Sequence, residues 1–234
     1  MVPMAIDNLQ AVLANIRTFA LSVGRDPNDI ILIGVTKFAS VDAVNEAIRA
    51  GLSHIAENKV QFAKDKFSRI DVAGKPVTKH MIGHLQTNKA KDAVQLFDMI
   101  QSVDSQKLAE EINKRAAAAG KVMDILVQVD IAREEQKFGV PEEELDALLA
   151  YLAGLANLRT LGLMVMAPLT EDLKVIRAVF HRAREIFERL KAASSVSARV
   201  EMRYLSMGMS HDYEIAIEEG ANMVRIGTAI FKSE

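Results

Sequence analysis

Residues 30–37 read IILIGVTK, an apolar, β-branched run that ends on an amine. A run this short and this continuous has the composition of a strand covered on both faces, and it places Lys37 at the strand's C-terminal end. Runs of the same kind return at SHIAE (53–57), KHMIG (79–83), MIQSV (99–103), DILVQV (124–129), LGLMVM (161–166), MRYLS (202–206) and MVRIG (223–227). Longer amphipathic stretches separate them. An opening helix carries Ile6, Leu9, Leu13, Ile16 and Ala20 at three- and four-residue spacing until Gly24 stops it. Residues 105–120 predict a further helix, capped by Ser105 and ended by Gly120. Similar patterns cover 41–50, 141–154, 171–192 and 210–219. Eight strand–helix units in 234 residues predict an α/β fold, a closed (β/α)8 TIM-type barrel with an additional N-terminal helix. A doubly wound open sheet shares the local pattern and is the alternative.

No Pro- or Ser-rich linker interrupts the chain, so residues 1–234 are read as one domain, with SSVSAR (194–199) a connecting loop. Half of the residues are hydrophobic, enough for a substantial core. With 29 basic and 31 acidic residues the net charge is -2, which gives no strong field to gather nucleic acid or an anionic membrane. The absence of cysteine excludes disulfides, thiolate catalysis and cysteine-ligated metal centres. The opening MVPMAIDNLQ lacks a signal pattern, and no stretch approaches about 18 continuous apolar residues. The expectation is a soluble, cytoplasmic monomer.

A barrel collects its chemistry at the C-terminal ends of its strands. The residues falling there are Lys37; Glu57 and Asn58; His84 and Asn88; Ser102 and Asp104; Asp130; Met166; Ser206; and Gly227 with Thr228. A lysine at a strand end is usually only solvated, but an amine among apolar groups and near another cation deprotonates more easily and can attack an aldehyde. The loops after strands seven and eight of such barrels often bind phosphate, and here they read LSMGMS and RIGT. Gly208 and Gly227 permit close backbone approach, and Ser206 and Thr228 add hydroxyls, although both glycines also suit simple turns. Ser210 reads as a helix cap, and Asp212 suits the first turn of that helix. An amine together with a phosphate cradle points to pyridoxal 5'-phosphate (PLP).

Arg225 lies inside the apolar alternation of the last strand. Pairing with Glu201 or Glu57 is the simpler expectation; donation to the pyridine nitrogen of PLP, which would leave that nitrogen unprotonated, is the other. His84 reads as a general base or as a packed, hydrogen-bonded histidine. Glu57, His80, His84 and His211 lack the spacing of a metal site, Met164 and Met166 read as packing residues, and residues 131–141 as a surface loop or a lid.

Taken together, ILIGVTK, AENKVQ, HMIGHLQTNK, QSVDS, VDIAREEQKFGV, GLMVM and LSMGMSHDYEIAIEEGANMVRIGTAIF resemble the PLP-binding family called the pyridoxal phosphate homeostasis proteins, over nearly the whole chain. The resemblance implies a barrel similar to the N-terminal domain of alanine racemase, of PLP fold type III. It further implies that Lys37 forms the aldimine, that Ser206, Gly227 and Thr228 belong to the phosphate motif, that Arg225 faces the pyridine nitrogen, and that Asn58 and His84 lie near the cofactor. Ala56 and Lys59 stand where the family usually has Gly and Tyr, and FAS follows Lys37 where it usually has a proline-bearing segment. The family is regarded as binding and buffering PLP and delivering it to PLP-dependent apoenzymes, without an established reaction. The likeness to alanine racemase stops before the second domain, whose tyrosine a racemase needs, so a non-catalytic carrier is expected. A weak PLP-dependent amino-acid racemase, a lysine Schiff-base aldolase and a simple phosphate-binding barrel are the alternatives.

Overall fold

The computed structural model describes residues 4–72, 74–132, 138–193 and 199–231. Eight parallel strands close into a ring: β1 (Ile31–Val35), β2 (His54–Glu57), β3 (Thr78–Met81), β4 (Met99–Val103), β5 (Met123–Asp130), β7 (Leu158–Val165), β8 (Val200–Ser206) and β9 (Met223–Ile226). The order runs β4-β3-β2-β1-β9-β8-β7-β5, and pairing of β4 with β5 completes it. The short β6 (Val140–Pro141) adds to the C-terminal end of β5, with Val129 opposite Val140.

Side-chain alternation divides the core into two layers. Ile33, Val35, Ala56, Met99, Leu126, Leu161, Met164 and Met223 fill the barrel interior. Leu32, Ile55, Ile100, Ile125, Val127, Leu163, Leu205, Val224 and Ile226 join the outer layer beneath the helices. Those helices are α2 (Val41–Arg49), α3 (Val60–Phe67), α4 (Ala90–Leu96), α5 (Gln106–Ala118), α6 (Glu142–Ala153), α7 (Leu173–Ala193), α8 (Tyr213–Glu218) and α9 (Thr228–Phe231). The extra helix α1 (Met4–Ser22) lies against α9, α2 and α8, burying Leu9, Val12, Ile16 and Ala20. Leu13 is partly exposed, since its place on the buried face is taken by Val12.

Local chemistry sets the element ends. Ser40 and Ser105 cap α2 and α5 by accepting the N–H groups of Ala43 (3.2 Å) and Leu108 (3.4 Å). Gly120, at φ +65°, ends α5 in the left-handed region. Ser210 does not cap α8, which begins three residues later behind Asp212. Residues 194–198 of the expected connecting loop lie outside the described residues. No described helix is long and apolar enough to cross a membrane.

Candidate functional site

The C-terminal ends of the strands enclose a cavity of about 350 Å³. Its wall includes Lys37 after β1, Asn58 after β2, Gly83 and His84 after β3, Gln128 in β5, Met166 after β7, Met209, Ser210 and His211 after β8, and Arg225, Gly227 and Thr228 from β9 onward. A second cavity of about 520 Å³ adjoins it through Asn58 and His84 and adds Lys59, Gln61 and Lys89.

Lys37 is exposed, with Nζ 5.1 Å from the centre of the Phe38 ring, so the structure does not bury the amine among apolar groups. The backbone delivering it is held from below. Glu57 is fully buried and accepts from the Thr36 hydroxyl (2.7 Å) and from Lys66 Nζ (2.8 Å), and Lys66 also donates to the Thr36 carbonyl. Glu57 is therefore committed to Lys66 and Thr36, and Glu201 to Arg203.

Consequently Arg225 has neither of the carboxylate partners expected for it. Its guanidinium is buried and donates to Ser206 Oγ (2.8 Å) and to the Val165 carbonyl (3.0 Å). Burial lowers its pKa to about 10, opposed by the charge of Asp212, so the side chain stays a cation at neutral pH. Burial in turn raises the Asp212 carboxyl, against the N–H of Met209 and the charge of Arg225.

Ser206, expected at the phosphate, does not line the cavity. Its hydroxyl is fully buried between Arg225 and Gln101 Oε1 (2.7 Å) and does not reach the cavity wall. Four residues further on, Ser210, expected only as a helix cap, takes the cavity position. The loop carrying it turns at Gly208 (φ +93°), where a Cβ would meet the Ala216 Cβ at 2.6 Å. The Arg225 N–H donates to the Gly208 carbonyl (2.9 Å), joining the two loops that bear Ser210 and Thr228.

His84 is not a buried, hydrogen-bonded histidine. Its ring stacks on Phe138 (centroids 3.6 Å apart, 11° between planes), and Nδ1 lies 3.6 Å from Asp104 Oδ2. Ser102 pins the same loop by donating to the Gly83 carbonyl (2.6 Å). Gln128 donates to the Phe138 carbonyl (2.6 Å) and so ties the returning end of the 131–141 segment to the cavity. Residues 133–137 of that segment lie outside the described residues. Asn88 sits in the short turn 87–89 and, like Asp104 and Asp130, is absent from the cavity wall. Gln128, Phe138 and Ser210 were missed by sequence reasoning; a glutamine in the apolar strand DILVQV was the available signal. Among the described residues, no group of three or more His, Cys, Asp or Glu is placed to hold a metal ion.

A closed parallel barrel thus brings an amine, a buried guanidinium and two hydroxyls to one cavity at the C-terminal ends of its strands. Residues 8–234 match the family described as alanine racemase, N-terminal domain. A pyridoxal phosphate homeostasis protein of Aquifex aeolicus (strain VF5) is 38% identical, over 97% of either chain. A solved protein of unknown function from Bifidobacterium adolescentis superposes with a TM-score of 0.87 at 33% identity, covering 97% of this chain and 94% of the other. PipY of Synechococcus elongatus PCC7942, solved with PLP bound, superposes with a TM-score of 0.80 at 35% identity over 93% of this chain and 100% of its own. The chain belongs to the family of the pyridoxal phosphate homeostasis proteins, within the group that shares the alanine racemase N-terminal domain.

Proposed function

We propose that this chain binds PLP and serves its homeostasis, holding the cofactor reversibly as a Schiff base on Lys37. The observation that carries this reading is the convergence of Lys37, Arg225, Ser210, Gly227 and Thr228 on one cavity. The residues fit the group. Ser210 and Thr228 offer hydroxyl donors to a phosphate, and Gly227 lies so close to β1 that a Cβ would meet the Val35 carbonyl oxygen at 3.0 Å. Val35, Ile82, Met166 and Met209 supply apolar surface for a flat ring.

When bound, PLP would supply an aldehyde, and Lys37 is the residue whose amine would hold it reversibly. Arg225 would donate toward the ring nitrogen and, because a guanidinium keeps its proton, would leave that nitrogen unprotonated and the ring a weak electron sink. Asn58 and His84, on the same cavity wall, would lie beside the ring. Residues 1–234 act in this reading as one PLP-binding unit that holds the cofactor without turning over a substrate and releases it to PLP-dependent apoenzymes. The names of the relatives, which speak of homeostasis, support it.

Adding PLP is expected to produce a visible absorption band, and borohydride reduction followed by peptide mapping to place the adduct on Lys37 alone. Lys37→Ala abolishes both. No band, or an adduct that survives the loss of Lys37, would overturn the assignment.

A further inference from the structure

Five inward-facing side chains form an unbroken hydrogen-bonded chain through the barrel, from Arg225 in the cavity to His54 at the opposite, N-terminal end of β2. Arg225 Nη1 lies 2.8 Å from Ser206 Oγ, and Ser206 Oγ 2.7 Å from Gln101 Oε1. Gln101 Nε2 lies 3.0 Å from His80 Nδ1, and His80 Nε2 2.9 Å from His54 Nδ1. His80, Gln101 and Ser206 are fully buried, and Arg225 nearly so. None of the contacts within this chain is to a carboxylate.

The polarity of the chain follows from its first member. A guanidinium only donates, so Ser206 Oγ accepts from it, and the hydroxyl in turn donates its own proton to Gln101 Oε1. That fixes the Gln101 amide with its nitrogen toward His80, where it also lies 3.9 Å from Met223 Sδ. An amide nitrogen only donates, so Nδ1 of His80 is bare and its proton sits on Nε2. Nε2–H then donates to Nδ1 of His54, which carries its own proton on Nε2. With both rings neutral, this arrangement makes every contact at once. Burial agrees with it, lowering the pKa of His80 to about 3.

We infer that Gln101 and His80 are positioning residues for Arg225: by taking up the Ser206 hydrogen bond they fix the hydroxyl beneath the guanidinium, which aims it without neutralising it. A carboxylate in that place would hold the arginine as firmly but would offset its charge toward the ligand. The role rests on the proposed function only in taking Arg225 as the partner of the PLP ring.

The test uses the full-length protein without cofactor, with 15N-labelled histidine and arginine. The expected NMR spectrum has His80 protonated at Nε2 and bare at Nδ1, and slowly exchanging Arg225 guanidinium protons. Gln101→Glu, which can only accept, should move the His80 proton to Nδ1 or charge the ring. Gln101→Leu should leave the fold intact and speed exchange at Arg225, whereas Met99→Leu, at the neighbouring inward position, should not. His80 protonated at Nδ1 in the wild type, or Arg225 exchange unchanged in Gln101→Leu, overturns the inference. In protein that forms the Lys37 adduct, Gln101→Leu and Ser206→Ala should each weaken PLP binding about tenfold, the scale of one hydrogen bond to a charged group, and the double variant no further. Additive losses, or none, overturn the positioning role. Absence of any adduct in the wild type sinks the proposed function instead, and the cofactor-free spectra still decide on the chain.

Discussion

Beneath Lys37, the pair Glu57–Lys66 is an ionic contact in which the acid has no exposure at all and one carboxylate oxygen, Oε2, has no hydrogen-bond partner among the described residues. Removing one member of such a pair strands the other charge, which costs about 3–5 kcal/mol, whereas replacing both with apolar side chains is often neutral. Glu57→Leu should therefore lower the urea midpoint sharply, and adding Lys66→Met should restore most of it. A single variant as stable as the wild type would show that the pair contributes little. At Gly208 the issue is backbone rather than charge. A side chain there combines a φ of +93° with a Cβ 2.9 Å from the Tyr213 Cα, so Gly208→Ala should cost about 1–3 kcal/mol and displace the loop carrying Ser210. Urea denaturation measures the first effect, and inorganic phosphate titration the second; a variant matching the wild type in both would remove Gly208 from the cradle.

Among the elements, β5 and β6 matter most to the site, because they return the chain to the cavity with Phe138 stacked on His84. An aromatic stack contributes about 0.5–1.5 kcal/mol beyond buried area. Phe138→Ala should thus lower the unfolding midpoint modestly and weaken PLP binding by up to about tenfold, as denaturation and fluorescence titration would record. Unchanged affinity would mean that this end of the segment does not support the ligand. All eight barrel strands were legible in the sequence because each carries a short, largely apolar stretch between longer amphipathic ones. β6 was not, being two residues long, nor were α3 and α4, whose eight and seven residues give about two turns in which to show a period. At the site, Lys37 and Arg225 were legible from their places in strands. The sequence did not show that Ser210 rather than Ser206 lines the cavity, because both lie in LSMGMS and local sequence does not reveal that a buried arginine claims the first.

At the scale of the whole molecule, the barrel interior is a mixed medium: an apolar cluster from Ile33 to Met223 threaded by the neutral chain His54–His80–Gln101–Ser206. Keeping His80 uncharged has a thermodynamic consequence. Its folded pKa is lowered from the model-compound 6.5 to about 3, by burial first and by His54 second. Between those values the unfolded chain binds a proton that the native state refuses, so stability is greatest above about pH 6.5 and falls as the pH drops toward 3. One such group gives a slope of at most about 1.4 kcal/mol per pH unit, and His54, also lowered by burial, acts in the same direction. Carboxylates titrating below about pH 5 add their own dependence, so the informative quantity is the difference between wild type and His80→Gln, which has no imidazole to protonate. Urea denaturation from pH 7.5 to 4.5 should show the wild type losing stability faster than His80→Gln, with the divergence beginning near pH 6.5. Parallel curves would mean that His80 takes up its proton in the folded barrel, and with that proton the one-way order of the chain leading to Arg225 would be lost.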